Sequence, residues 1–237
     1  MLHFVPRDGR ELGHATRDSG LGTRDSGLAY NPRMPDTRAR KIKLLLFDVD
    51  GVMTDGIIFL FPAPAGARQA TQAQAAKMAD AGGYAIASES VVEAKGFHAH
   101  DGTAISLARL GGLKTGLITK RISETVALRA RDLRVDHIHQ GIADKLGVFE
   151  EILRREGLSA EEAAYLGDDI IDLPVMRRCG LAIAVPNGRA EVKQAAQYVT
   201  ENAGGRGAIR DAVEFILRAQ GKLEEVIEAY LSVRLKK

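Results

Sequence analysis

Tryptophan is absent from this 237-residue chain, and cysteine occurs once, at Cys179. A lone thiol cannot close an internal bridge, which excludes a disulfide-stapled scaffold and fits a reducing, cytoplasmic compartment. Long apolar runs are missing too: the longest, such as 44–47 and 181–185, fall far short of the ~20 residues of a membrane helix. The first fourteen residues carry charges where an export signal needs an apolar stretch, so no secretory signal is expected. Nor does one sign of charge prevail, the formal net charge being +2. With 45% hydrophobic and 27% charged residues, the composition excludes wholesale disorder and collagen-like repeats. The length allows one domain, or one with appendages.

The small net charge hides an asymmetry. Residues 1–43 hold nine Lys/Arg against five acids, so the rest of the chain is net −2. A mildly acidic body offers no basic face for nucleic acid. Thr16-Arg17-Asp18-Ser19-Gly20-Leu21 recurs as Thr23-Arg24-Asp25-Ser26-Gly27-Leu28, a seven-residue period without paired apolar positions. Such residues cannot bury enough area to offset chain ordering, so residues 1–40 are expected to be a disordered leader. It is either a docking arm or a translated upstream repeat ahead of a working start at Met34.

From Lys41 onward, short apolar runs alternate with amphipathic stretches. Strands are predicted at 42–47, 113–118, 137–139, 163–166 and 181–185. Helices are predicted at 104–110, 123–133, 144–156, 173–178 (behind Asp172 as N-cap) and 208–217, with a capping box at Ser159 and Glu162. This rhythm predicts an α/β fold, a Rossmann-like parallel sheet with helices on both faces. Residues 62–81 interrupt it with nine alanines and almost no apolar stripe. They read as part of an insertion, 62–90, at the tip of a hairpin pairing 57–61 with 91–97. At the C-terminus, Leu223, Val226, Ile227, Tyr230 and Leu231 share one helical face, which predicts a packing helix within 221–237.

The chemistry-bearing residues fall at the C-terminal ends of predicted strands, where open α/β sheets bind ligands. Asp48 and Asp50, two apart on extended backbone, can face one site. Gly167-Asp168-Asp169 ends another strand, with Asp172 close behind. Converging carboxylates repel unless a proton or cation separates them, and oxygen ligands suit a hard divalent ion, Mg²⁺. Thr119 ends the 113–118 strand, and Lys145 opens the long helix. Taken singly, each has an ordinary role in a turn, a cap or a solvated face. In the order Asp-x-Asp, Thr, Lys, Gly-Asp-Asp they fit phosphoryl transfer, with one aspartate attacking phosphorus and another moving the proton.

These same residues resemble the motifs of the haloacid dehalogenase-type phosphohydrolases. Phe47-Asp48-Val49-Asp50-Gly51-Val52 is similar to their first motif, Ile118-Thr119 to the second, Lys145 to the third, and Gly167-Asp168-Asp169 with Asp172 to the fourth. Thr54-Asp55-Gly56, Lys95-x-Phe97, Asp101-Gly102, Gln140-Gly141, Asp172-Leu173-Pro174-Val175-Met176 and Gly204-Gly205-Arg206-Gly207-Ala208 narrow the resemblance to the 3-deoxy-D-manno-octulosonate 8-phosphate phosphatase family. It spans about residues 41–218. The resemblance implies that Asp48 is nucleophile and Mg²⁺ ligand, and that Asp50 is general acid/base, binding the metal through its carbonyl. It implies phosphoryl contacts from Thr119 and Lys145, a metal ligand at Asp168, supporting acids at Asp169 and Asp172, and substrate contacts from Arg121 and Arg206. It further implies a minimal cap made of a β-hairpin, a homotetramer built on that hairpin, and a sugar-acid phosphate substrate. Domain boundaries follow at 41–220 for the phosphatase domain and 221–237 for the helical extension.

Three departures mark this chain. Lys120 stands where the family usually has Gly after the motif-two Thr, His100 where it often has Arg, and the hairpin carries the 62–90 insertion. His98 and His100 lie at strand spacing, predicting a surface strand. Three other readings remain: the same chemistry on another small sugar phosphate, a catalytically impaired oligomerisation domain, and a phosphoacceptor domain. The retained acids and Lys145 argue against the second, and the built-in acid/base Asp50 against the third.

Overall fold

The computed structural model describes residues 37–64, 84–85 and 91–234. Most of the expected leader (1–36) and most of the insertion lie outside the described residues. In chain order the strands are β1 (Leu44–Phe47), β2 (Phe59–Pro62), β3 (Tyr84–Ala85), β4 (Val91–Ala94), β5 (Lys114–Ile118), β6 (Arg121–Ile122), β7 (His137–His139), β8 (Ala163–Gly167), β9 (Leu181–Ala184) and β10 (Tyr198–Val199). The α-helices are α1 (Ala99–Leu110), α2 (Glu124–Asp132), α3 (Lys145–Glu156), α4 (Leu173–Met176), α5 (Ala190–Ala195), α6 (Ala208–Ala219) and α7 (Leu223–Arg234).

Six strands form one parallel sheet in the order β10-β9-β8-β1-β5-β7. β1 sits near its middle and is apolar throughout because both of its faces are covered. Leu45 and Phe47 join the core shared with α1, α2, α6 and α7. Leu44 and Leu46 turn the other way, into the core shared with α3, α4 and α5. The period-two alternation of the strand thus feeds two cores at once. α3 shows how its sequence makes a helix: Asp144 caps it by accepting from the Gly147 N–H at 3.1 Å, and Gly157 ends it in the left-handed region.

Three expectations change. α1 starts at Ala99 rather than 104, so His98 precedes a helix and His100 lies in its first turn, not on a strand. That turn buries Asp101 and Gly102 instead of apolar side chains, which erases the periodic signal. Asp172 precedes α4 but does not cap it; its carboxylate is used elsewhere. The antiparallel pair is β2 with β4, which ends at Ala94 because Lys95 turns inward. Within the expected insertion, β3 runs parallel to β6, with Tyr84 opposite Arg121.

α7 packs in cis. Leu223 and Val226 are buried in the core with α1 and α6, Ile227 and Tyr230 lie against it, and Leu231 is exposed. Removing three buried carbons from the Leu223 side chain is expected to cost about 2–3 kcal/mol. Leu223→Ala should therefore lower Tm by roughly 5–10 °C in a calorimetric scan; an unchanged Tm would show that α7 contributes little to the fold.

Candidate active site

Parallel register brings the ends of β8, β1 and β5 side by side, so Asp168, Asp48 and Thr119 emerge from three neighbouring strands. Asp48, Asp50, Thr119, Lys120, Arg121, Asp168, Asp169 and Ile171 line a small open cleft of about 150 Å³. A larger groove of about 760 Å³, lined by Arg40, Lys43, Glu162 and Lys222 among others, lies at the opposite ends of the strands. It holds none of the clustered acids, so size does not locate the chemistry.

Asp48 is buried at the end of β1. One of its oxygens accepts the Val49 N–H at 2.7 Å, and the other faces Lys145 Nζ at 2.9 Å. Lys145, the first residue of α3, also donates to Asp172 Oδ1 at 2.7 Å. Asp172 is fully buried. Besides Lys145 its Oδ1 accepts the Tyr165 hydroxyl at 2.8 Å, and its Oδ2 accepts the backbone N–H groups of Asp168 at 3.0 Å and Asp169 at 3.3 Å. Oxygens of Asp48, Asp168 and Asp172 lie within 4.8 Å of one another. Asp168 Oδ1 is buried there with no hydrogen-bond partner.

The electrostatics follow from this crowding. Burial raises the Asp48 carboxyl above the usual range; the Lys145 ammonium opposes that, and Asp172 adds to it. Burial and the neighbouring carboxylates of Asp48, Asp172 and Asp169 push Asp168 up to about 8. For Lys145, burial works to lower the pKa, but Asp48 and Asp172 overcome it and hold the ammonium above its ordinary value. Burial, with the charges of Asp172 and Asp48, keeps the Tyr165 phenol well above its usual range, so it acts as a neutral donor.

Asp50 sits in a wide turn after β1, where its carboxylate is held by two cations. Lys95 Nζ takes Oδ1, and Arg121 Nε lies 3.2 Å from Oδ2. Gly51 closes that turn at φ +94°, and a Cβ there would lie 2.1 Å from Asp168 Oδ2. Only glycine lets the Asp50 turn lie so close to the end of β8. The segment before α6 is fastened to the same turn. Gly205 N–H donates to Val52 O at 2.8 Å, and a Cβ on Gly204 would lie 1.7 Å from Gly51 O. Asn187 joins the two, donating to Gly51 O at 3.1 Å and accepting the Gly204 N–H at 2.8 Å.

Of the residues singled out in the sequence, Asp48, Asp50, Thr119, Arg121, Lys145, Asp168, Asp169 and Asp172 are brought together. Arg121 touches Asp50 as well as the cleft. Arg206 is outside the cleft, largely exposed and 3.7 Å from Asp55. Lys120 lines the cleft, so this departure adds a cation beside the acids. His100 does not line it; its ring packs on His98 at 4.7 Å. Sequence reading missed Tyr165, which looked like one more apolar strand residue, and Asn187, whose Pro-Asn-Gly setting signals only a turn. It also missed the contact of Lys95 with Asp50, although Lys95 stood in a quoted motif.

Known proteins resemble this chain over most of its length. Residues 119–212 match the family model described as haloacid dehalogenase-like hydrolase. The 3-deoxy-D-manno-octulosonate 8-phosphate phosphatase KdsC of Salmonella typhimurium is 35% identical over 198 residues, 83% of this chain and 91% of that one. That of Yersinia pestis is 36% identical over 197 residues, 82% and 91% of the two chains. Among solved structures, the Moraxella catarrhalis phosphatase in complex with magnesium, phosphate and a KDO molecule has a TM-score of 0.67 and 32% identity, covering 81% of this chain and 95% of that one. With relatives at 35–36% identity matched over four fifths of its length, the chain belongs to the 3-deoxy-D-manno-octulosonate 8-phosphate phosphatase family of haloacid dehalogenase-like hydrolases.

Proposed function

We propose that this chain hydrolyses the phosphomonoester of 3-deoxy-D-manno-octulosonate 8-phosphate, using Mg²⁺ and a covalent aspartyl-phosphate, in lipopolysaccharide synthesis. The observation that carries the reading is Asp48 held by Lys145 at 2.9 Å, with Asp50 lining the same cleft. The residues fit a divalent cation: Asp168 Oδ1 is buried and unpartnered beside Asp48, in a cluster of carboxylates that only a proton or cation can relieve. Asp48, Asp168 and the Asp50 carbonyl would hold the ion. When bound, Mg²⁺ offsets charge on the phosphoryl oxygens.

Asp48 carries the first step. Its carboxylate attacks phosphorus, and the bond from phosphorus to the sugar oxygen breaks as Asp50, entering the step protonated, gives that proton to the oxygen and is left as the carboxylate. In the second step Asp50 takes a proton from water, the water oxygen attacks phosphorus, and the bond to Asp48 breaks to free phosphate. Lys145 stands ready for a phosphoryl oxygen because it already fixes Asp48, and Thr119 lines the cleft beside it. Lys95 and Arg121 orient the Asp50 carboxylate from two sides. Lys120 and Arg121 supply positive charge for a substrate bearing both a phosphate and a carboxylate.

A homotetramer belongs to this proposal, with the β2–β4 hairpin as cap and assembly element. Ile57, Phe59, Leu60 and Phe61 are half exposed there, an apolar strip that a second copy would cover. Arg206, exposed in one chain, is proposed to reach a neighbour's substrate, as the family resemblance implies. The catalytic domain is assigned to 41–220 and the cytoplasm is proposed as its location. No helix among the described residues is long and apolar enough to cross a membrane.

Phosphate release from 3-deoxy-octulosonate 8-phosphate, measured beside a panel of hexose phosphates, should favour the former and stop when EDTA is added. Turnover of hexose phosphates alone would contradict the substrate. Asp48→Asn should lower kcat by at least ~10³-fold while the protein stays folded; activity surviving it would contradict the mechanism.

Asp168 makes the stability of the fold depend on pH. Its folded pKa, about 8, lies above the unfolded value of 3.8, so protonation favours the metal-free fold. Stability of that form is therefore greatest below the unfolded pKa and falls as pH rises through about 8. Mg²⁺ removes the penalty by replacing the proton. The Tm gain on adding Mg²⁺ should grow steadily from about pH 5.5 to about pH 8. An equal gain at both ends would show that Asp168 carries no such charge.

A further inference from the structure

Asp172 poses a question that the proposed mechanism leaves open. One of its oxygens lies within 4.8 Å of those of Asp48 and Asp168, so distance alone would make it a third carboxylate ligand. A carboxylate offers about four lone-pair sites. At Asp172 all four are matched by donors: Lys145 Nζ and the Tyr165 hydroxyl on Oδ1, the N–H groups of Asp168 and Asp169 on Oδ2. Three of those donors are fixed by other duties, two in the backbone and one on Asp48. Tyr165 is different. Its ring is fully buried in the core under α3 and α4, and a phenylalanine would fill the same space. The hydroxyl donates to Asp172 and accepts from Lys145 Nζ at 3.4 Å.

We infer that Tyr165 is a positioning residue that withholds Asp172 from the cation, and thereby sets the preference of the site for a small divalent ion over a large one. The inference rests on the metal reading given above. With Asp172 occupied, the ion meets the carboxylates of Asp48 and Asp168, and its other positions fall to backbone, water and phosphate. That is the ligand pattern of Mg²⁺, which binds one or two carboxylates and keeps its waters. Ca²⁺ takes six to eight oxygens in flexible geometry and gains from each added carboxylate. Removing the hydroxyl frees one lone pair of a carboxylate that has an oxygen within 4.8 Å of those of Asp48 and Asp168, and an added carboxylate favours the larger ion.

The test is calorimetric titration of the full-length chain, parent and Tyr165→Phe, with MgCl₂ and with CaCl₂. The Kd for Ca²⁺ should fall about fivefold or more in the variant, a hydrogen bond to a charged group being at stake, while that for Mg²⁺ shifts less than twofold. The gain should vanish in Tyr165→Phe/Asp172→Asn. Unchanged affinities, an equal change for both ions, or a gain that survives the double variant would overturn the assignment. A crystal structure of the parent protein with Mg²⁺ decides the matter independently of how the variant folds. Asp172 should stay off the ion, and a direct bond to it overturns the inference. A parent chain that binds no Mg²⁺ would overturn the metal reading and this inference together, whereas unaltered selectivity in a Mg²⁺-binding variant overturns this inference alone.

Discussion

Lys145 holds together side chains that would otherwise push apart. Three carboxylates within 4.8 Å of one another repel by about 3 kcal/mol per pair at an effective dielectric of about 20. The ammonium of Lys145, bonded to both Asp48 and Asp172, offsets one of the three charges where water cannot. With all three ionised the remainder is a charge of −2, which a divalent cation balances; without the ion, a proton on Asp168 relieves part of it. Removing one partner of such a buried pair typically costs 3–5 kcal/mol. The same ion pair therefore fixes this edge of the fold and orients Asp48, the proposed nucleophile. Position and reactivity have a single origin.

The sheet makes that arrangement possible. Because β8, β1 and β5 are adjacent and parallel, Asp168, Asp48 and Thr119 leave the sheet at one level. Behind them the backbone is drawn in so tightly that side chains are excluded. Gly51 passes against Asp168, and Gly204 against Gly51 itself. Asn187 then ties the Asp50 turn to the segment leading into α6, whose N-terminus is held in turn by Asp101 accepting from the Arg210 N–H at 3.0 Å. Two segments some 150 residues apart in sequence are thus fastened to each other, one of them carrying Asp50.

What the sequence made legible, and what it hid, divides along physical lines. β1 and β8 could be read because burial on both faces demands nearly continuous apolar runs, and the acids could be read because they follow those runs. The helical spacing of Leu146, Phe149, Ile152 and Leu153, with Gly157 behind them, announced α3, whereas Asp144, expected as its first residue, is its cap. The start of α1 escaped because its first turn buries Asp101 and Gly102, leaving no apolar period. The pairing of β3 with β6 escaped because two-residue strands carry no pattern at all. Tyr165, Asn187 and the Lys95–Asp50 contact escaped for a third reason: each is a meeting of distant segments. Asp172 was read as a helix cap from its place before Leu173-Pro174, but packing committed its carboxylate to Lys145, Tyr165 and the chain around Asp168.

The claim on which all of this turns is that Lys145 presents Asp48, and no other side chain, to the phosphorus atom. Rapid acid quench of a single turnover on 3-deoxy-octulosonate 8-phosphate, followed by peptide mapping, tests it directly. The account predicts one phosphoryl group on the peptide that carries Asp48. A phosphoryl group on any other residue, or phosphate released at full rate with none trapped on Asp48, would contradict it.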